Sequence, residues 1–226
     1  SLSTAVGDKI SSDKPGLPIW NGFHPIADNL PQPISKEKAR KALSWPKDKK
    51  IVLFFGLIRK YKGLGLLIEA FSKASLNDSR VILAIVGEAY ESSNKYIKLI
   101  QKLNLNKRII CDFNYANIHK ACQVFCAADV IAQTYISASQ SGVTPLAYHF
   151  KTPLLVSDIP GLCTPILEDK TGIVSEIDPE KISENLQKIL FDDTLPNFQD
   201  AFQKVRKKYS WKSYGKSLMT FMARLK

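Results

Sequence analysis

QTYISASQSGVTPLAYHFKTPLLVSDIPGLCTPILEDKTGIV, residues 133–174, is the stretch whose reading decides the fold. It opens on a turn of small polar residues, Ser137 to Gly142, which feeds a short apolar helix expected over Val143 to Phe150. The run Thr152-Pro153-Leu154-Leu155-Val156 reads as a buried strand. Ser157 to Gly161 reads as a turn beyond that strand's carboxyl end, and Asp169 to Gly172 as a second turn leading into a last short strand. A polar loop feeding a helix amino terminus leaves N–H groups unpaired, and the helix dipole adds positive potential there. That suits an anion such as phosphate, with Gly142 letting it approach the backbone. The same residues also suit a plain helix cap with no ligand.

Upstream, the chain repeats a strand–helix alternation. Ile51 to Gly56 is a continuous apolar run, as expected of a parallel strand buried on both faces. A loop with Arg59, Lys60 and Lys62 follows, then a helix predicted over Leu64 to Ala74. Val81 to Gly87 predicts a second strand, Tyr90 to Leu103 an amphipathic helix, and Arg108 to Phe113 a third strand. Asn117 to Ala128 predicts a helix, and Asp129 to Ala132 the strand that delivers the polar turn. This alternation argues for a Rossmann-like, doubly wound parallel α/β sheet, in which ligands sit at strand carboxyl ends. Gly56, Gly87, Glu88 and Asn114 fall at such ends. Turn formation would explain the last three equally well.

Three blocks together resemble the donor-binding half of GT-B glycosyltransferases of group 1 (family 4). They are Gln140-Ser141-Gly142-Val143-Thr144, Pro153 to Gly161, and Glu168-Asp169-Lys170-Thr171-Gly172. A fourth, Phe55 to Gly63, is similar to the family's G-R-x4-K-G segment, with Lys62-Gly63 in register, Arg59 two residues late and Leu57 at the usual Arg position. The family's paired glutamates, E-x7-E, are replaced here by Gln140 and Tyr148.

The resemblance implies transfer of a sugar from a nucleotide-sugar to an acceptor hydroxyl, with retention of configuration. It implies that Arg59 and Lys62 hold the donor's pyrophosphate, an Arg by a forked contact and a Lys as a point charge. It implies that Gln140 and the amides of Ser141, Gly142, Val143 and Thr144 hold phosphate and sugar, and that Tyr148 touches the ribose. Gly87, Glu88 and Asn114 would meet the nucleoside. No cofactor and no metal are expected, since the cations would neutralise the diphosphate. An acceptor-binding domain is expected before residue 1, with residues 1–20 as tail and linker and 21–226 as the nucleotide-sugar-binding domain. On this reading the piece alone binds donor without turning it over. A non-catalytic binding module and a sugar-nucleotide epimerase are the alternatives.

Composition is compatible with this. The chain has 226 residues, 45% of them hydrophobic, enough for a full core. Its formal net charge of +11 points to anionic partners: nucleotide phosphates, an acidic membrane surface, or nucleic acid, ranked last for want of a matching motif. No apolar run reaches membrane-spanning length and no signal peptide is visible. Cys111, Cys122, Cys126 and Cys163 include no C-x-x-C pair and read as buried free thiols, which fits a reducing cytoplasm.

The termini are less patterned. Residues 1–17 are polar and turn-rich, Leu17 to Trp20 is a candidate edge strand, and Asn21-Gly22 resembles a hinge turn, with His24 able to face the cleft. A short helix capped by Ser35 is predicted through Leu43. Helices are predicted over Glu180–Phe191, Asn197–Tyr209 and Trp211–Leu225. The last could dock on its own core, return to another domain, or lie on anionic lipid at the inner membrane face.

Overall fold

In the computed structural model, which describes Ser1 and residues 4–225, six parallel strands form one sheet in the order β3-β2-β1-β4-β5-β6. They are β1 (Lys50–Phe55), β2 (Val81–Val86), β3 (Ile109–Asp112), β4 (Val130–Gln133), β5 (Leu154–Ser157) and β6 (Gly172–Ser175). The helices are α1 (Thr4–Asp13), α2 (Lys36–Leu43), α3 (Leu64–Ala70), α4 (Asn94–Lys102), α5 (Ile118–Ala127), α6 (Val143–Phe150), α7 (Pro160–Asp169), α8 (Pro179–Phe191), α9 (Phe198–Lys208) and α10 (Trp211–Ala223). The expected Rossmann-like doubly wound sheet with extra carboxyl-terminal helices is what forms.

The continuous apolar runs follow from burial on both sides. Ile51 and Leu53 of β1 join a core with Phe125, Ala147, Leu162 and Phe202, from α5, α6, α7 and α9. Val52 and Phe54, pointing the other way, join a core with Leu67, Ile68, Ile100 and Leu186, from α3, α4 and α8. Strand residues alternate between two apolar layers, so neither face needs polar side chains.

The strand order reverses between β1 and β4, which pair through Val52–Val130 and Leu53–Ile131. Their following loops lead one to α3 and one to α6, and in a doubly wound sheet such a crossover is where the ligand crevice lies, at the carboxyl ends. Gly87 keeps the β2 end close to it. At φ +147° and with a Cβ position only 2.0 Å from Gly56 O, it admits no other side chain without movement.

Several expectations are corrected. Residues 4–13 form α1 rather than an irregular tail, and part of it packs on α7. Leu17 to Trp20 pairs with no strand, so the edge strand is absent. The region after Ile159 is helical, not a turn: Pro160 starts α7, where its missing N–H costs nothing, and Leu162, Cys163 and Ile166 bury its inner face. The helix expected from Tyr90 begins at Asn94, and that from Leu64 ends at Ala70. Cys111, on the edge strand β3, is exposed, whereas Cys122, Cys126 and Cys163 are buried. No residue of α10 is buried, so its docking is peripheral, through Trp20 and Phe23 against Tyr214.

Candidate donor site at the strand crossover

Lys62 is the centre of the site. It lies in a single 3-10 turn, Lys60–Lys62, between β1 and α3. Gly63 closes that turn at φ +66°, its Cα so near Thr134 O that a Cβ would sit 1.8 Å away. Thr134 Oγ1 donates to Gly63 O at 3.1 Å and Ile136 N donates to Tyr61 O at 2.7 Å. The loops after β1 and β4 are thereby tied together. This buries Lys62 to 8% exposure and carries its ammonium back over the β1 end, 3.1 Å from the Cβ position of Gly56. Val143 Cγ2, at the start of α6, lies 3.7 Å from that same point. The Lys62 ammonium and the first residue of α6 therefore meet over the end of β1.

No carboxylate pairs with Lys62 among the described residues. Its ammonium stands 5.4 Å from the Tyr135 ring centroid, a weak cation–π contact. Burial, and secondarily the nearby Arg59 guanidinium, push its pKa below the usual lysine range. Arg59 is exposed and stacks on the Tyr90 ring at 4.7 Å. Two cations converge without a counter-charge, which is the electrostatic form of an anion site.

The α6 amino terminus supplies fewer donors than expected. Val143 N donates to Ser141 Oγ at 3.2 Å, and Thr144 N to Ser141 O at 3.3 Å. The Thr144 hydroxyl is tied to the buried Gln133 amide at 3.1 Å. Within residues 140–144, the Gln140, Ser141 and Gly142 amides donate to no protein acceptor, which narrows the expected set. Ser141 Oγ also meets the hydroxyl of Tyr135 at 3.1 Å. Burial raises Tyr135 to about 12, so this hydroxyl keeps its proton.

Gln140 lines a cavity of about 200 Å³ with Phe23, His24, Tyr148, Pro165 and Tyr209. Its Oε1 is buried without a partner. Tyr148 is 1% exposed, and its hydroxyl contacts Pro165 O at 3.4 Å and Asp169 Oδ2 at 3.5 Å. A ribose contact through that hydroxyl would have to displace these partners. Asp169 also accepts from Tyr209 at 2.7 Å and Lys208 at 2.7 Å. At the other end, Glu88 and Tyr90 run beside Ile58: Ile58 N donates to Glu88 O at 2.8 Å and Tyr90 N to Ile58 O at 3.1 Å. Asn114, after β3, donates from Nδ2 to Asp112 Oδ1 at 3.0 Å and so serves its own turn.

Sequence reasoning passed over Tyr135 and Thr134, which hold the Lys62 loop in place. Their only signal was position, directly after the fourth strand. His24, able from its sequence position to face the cleft, does line the cavity beside Gln140.

The fold is a doubly wound α/β sheet with a buried lysine and an exposed arginine at its crossover. The family model for glycosyl transferases group 1 matches residues 35–209, and the chain belongs to that family. A D-inositol 3-phosphate glycosyltransferase of Corynebacterium efficiens is 28% identical over 212 residues, covering 90% of this chain and 48% of the relative. The chain thus spans about half the length of such relatives. A glycosyltransferase from Rickettsia africae superposes with a TM-score of 0.80 at 21% identity, over 100% of this chain and 62% of that one. Anabaena HepE in complex with UDP-glucose superposes at 0.69 with 18% identity, over 84% of this chain and 52% of that one. These GT-B structures share the fold seen here.

Proposed function

We propose that the crevice between β1 and β4 binds the diphosphate of a nucleotide-sugar, and that this chain is the donor-binding part of a glycosyltransferase acting on an acceptor hydroxyl with retention of configuration. The observation that carries the reading is Lys62: a buried ammonium, unpaired by any carboxylate among the described residues, held over Gly56 beside the start of α6. A buried unpaired charge is costly, and a bound diphosphate would offset that cost. The relative with UDP-glucose supports a nucleotide-sugar as the occupant.

In this reading Lys62 and Arg59 neutralise charge that grows on the departing diphosphate, an electrostatic role that needs no proton transfer from them. The Ser141 and Gly142 amides bind its oxygens. Gln140 faces the sugar. The nucleoside lies along Gly87–Tyr90, with Arg59 free to leave Tyr90 for a phosphate. An acceptor-binding domain outside this chain completes the active site, so the chain alone binds donor without turnover. A cytoplasmic site at the inner membrane face fits the exposed Trp211, Met219 and Met222 of α10 beside Lys212 and Lys216. Co-sedimentation with anionic vesicles at low salt checks that placement, and recovery of the protein only in the supernatant removes it.

Calorimetric titration with UDP and GDP tests the donor site. Lys62→Ala is expected to weaken diphosphate binding about 10- to 100-fold, the scale of one charge-assisted hydrogen bond. Unchanged affinity in the Lys62→Ala, Arg59→Ala double variant removes their role. A non-catalytic module is the second reading, favoured by the closed hydrogen-bond network around Tyr148. Sugar transfer or donor hydrolysis by the full-length protein separates the two.

A further inference from the structure

The segment 20–26 is anchored on both sides of His24. Trp20 Nε1 donates to Ser217 Oγ at 3.0 Å, and its ring meets Tyr214 edge-on at 5.0 Å. The Phe23 ring meets Tyr209 at 5.1 Å, and Ile26 N donates to Tyr209 O at 2.8 Å. The imidazole is oriented as well: Nδ1 lies 3.1 Å from Pro25 O. A carbonyl oxygen only accepts, so Nδ1 carries a proton, and the Nδ1–H tautomer presents a lone pair at Nε2. That nitrogen lies 3.8 Å from the Cβ position of Gly142, at the edge of the cavity that Gln140 also lines. Gln140 Oε1, buried and unpartnered, is a second acceptor there.

Two acceptors beside a turn of free amides form a divided surface. The amides suit phosphate oxygens. The acceptors repel them and call for donors, which on an uncharged ligand are hydroxyls. The cavity, at about 200 Å³, is below the roughly 300–1,000 Å³ of sites for whole drug-sized ligands, and so takes a part of one. We infer that His24 is a substrate-contacting residue: its Nε2 accepts a hydrogen bond from a hydroxyl of the sugar carried beyond the diphosphate, with Gln140 accepting from another. The inference rests on the nucleotide-sugar reading and adds a residue of the linker to it. His24 then distinguishes sugar-bearing donor from spent nucleoside diphosphate, because only the former presents the hydroxyl.

The test compares affinities of the 226-residue chain for UDP against UDP-glucose, and for GDP against GDP-mannose, by calorimetry. In His24→Ala, affinity for the diphosphates is expected to stay within about twofold, while affinity for the preferred sugar nucleotide falls about three- to tenfold, the scale of one neutral hydrogen bond. His24→Gln, which keeps an acceptor, is expected to recover part of that loss. His24→Phe is the second variant: it keeps a planar ring of similar size at the position and has no nitrogen acceptor. The same selective loss is expected, independent of how His24→Ala folds. Equal affinities in wild type and both variants, or equal losses for diphosphate and sugar nucleotide, overturn the role of His24 and leave the donor site standing. Wild-type protein that binds none of the four probes overturns the donor reading itself, and the inference with it.

Discussion

Arg40 and Lys62 are both buried cations, at 5% and 8% exposure, at opposite ends of the same sheet, and their surroundings could hardly differ more. Arg40, below the amino-terminal end of β1, donates to Ala127 O at 3.0 Å, Lys47 O at 2.9 Å, Lys49 O at 3.0 Å and Asp129 Oδ2 at 2.7 Å. Asp129 in turn accepts from Ile51 N at 2.7 Å and pairs with Lys36 at 2.6 Å. Every one of these bonds ties chain to chain, clamping α2, α5, β1 and β4. Lys62, above the carboxyl-terminal end, has an aromatic ring, a glycine and a neighbouring guanidinium instead of a carboxylate. One end of the sheet uses its buried charge to hold the fold, and the other leaves it without a carboxylate partner among the described residues.

The comparison breaks first at Arg40. Arg40→Ala takes the guanidinium donor from the Ala127, Lys47 and Lys49 carbonyls and leaves Asp129 with only Lys36 and Ile51 N, and is expected to cost about 3–5 kcal/mol of stability, read as a fall in urea midpoint, with diphosphate affinity unchanged. A loss under about 1 kcal/mol would mean the clamp is ornamental. Gly87→Ala is next: its Cβ would meet Gly56 O, and a cost of roughly 1–3 kcal/mol is expected from overpacking, together with weakened diphosphate binding as the β1 and β2 ends separate. Wild-type stability in this variant would show that the contact yields easily.

Lys62→Met should behave oppositely to Arg40→Ala, with the fold retained or slightly stabilised and diphosphate binding lost. A drop in thermal midpoint comparable to that of Arg40→Ala would erase the distinction between the two ends. The smallest effect is on pH. The folded Lys62 pKa lies below that of the unfolded chain, so between the two values the unfolded state binds more protons and stability rises with pH. Diphosphate affinity has the opposite slope, since it needs the charged form: it should decline as pH rises through the lowered pKa, earlier than for a solvent-exposed lysine. Arg59→Ala removes one cause of the shift and should move that decline to higher pH. Calorimetry across alkaline pH reads both, and a decline at the same pH in both proteins would show that Arg59 does not act on Lys62.

Much of the fold was legible because its signals are local. Val81–Val86 and Ile51–Phe54 are apolar without alternation, and only burial on two faces explains that. Gly142 and the apolar run after it located α6 to the residue. Where the signal was ambiguous the reading failed. Ser157 to Gly161 read as a turn, yet α7 starts at Pro160 and tolerates Pro165 within it, because Leu162 and Ile166 are held by the core. Leu17 to Trp20 has strand-like residues, but a strand needs a neighbour and the sheet edges are β3 and β6. At the site, Lys62 and Gly142 were legible from spacing and from family resemblance. The capping of the Val143 amide by Ser141, and the closed network around Tyr148, were not.

The amino-acid order alone determined the strand–helix alternation, the parallel sheet and the place of the basic loop, since hydrophobic periodicity is carried by near neighbours. Only the tertiary structure decided which buried cation is paired and which is left without a counter-charge. Asp129 reaches Arg40 across 89 residues, and Tyr135 comes over Lys62 through a loop tied at Gly63 and Thr134. Desolvation and charge pairing depend on distances in space that residue spacing along the chain does not encode.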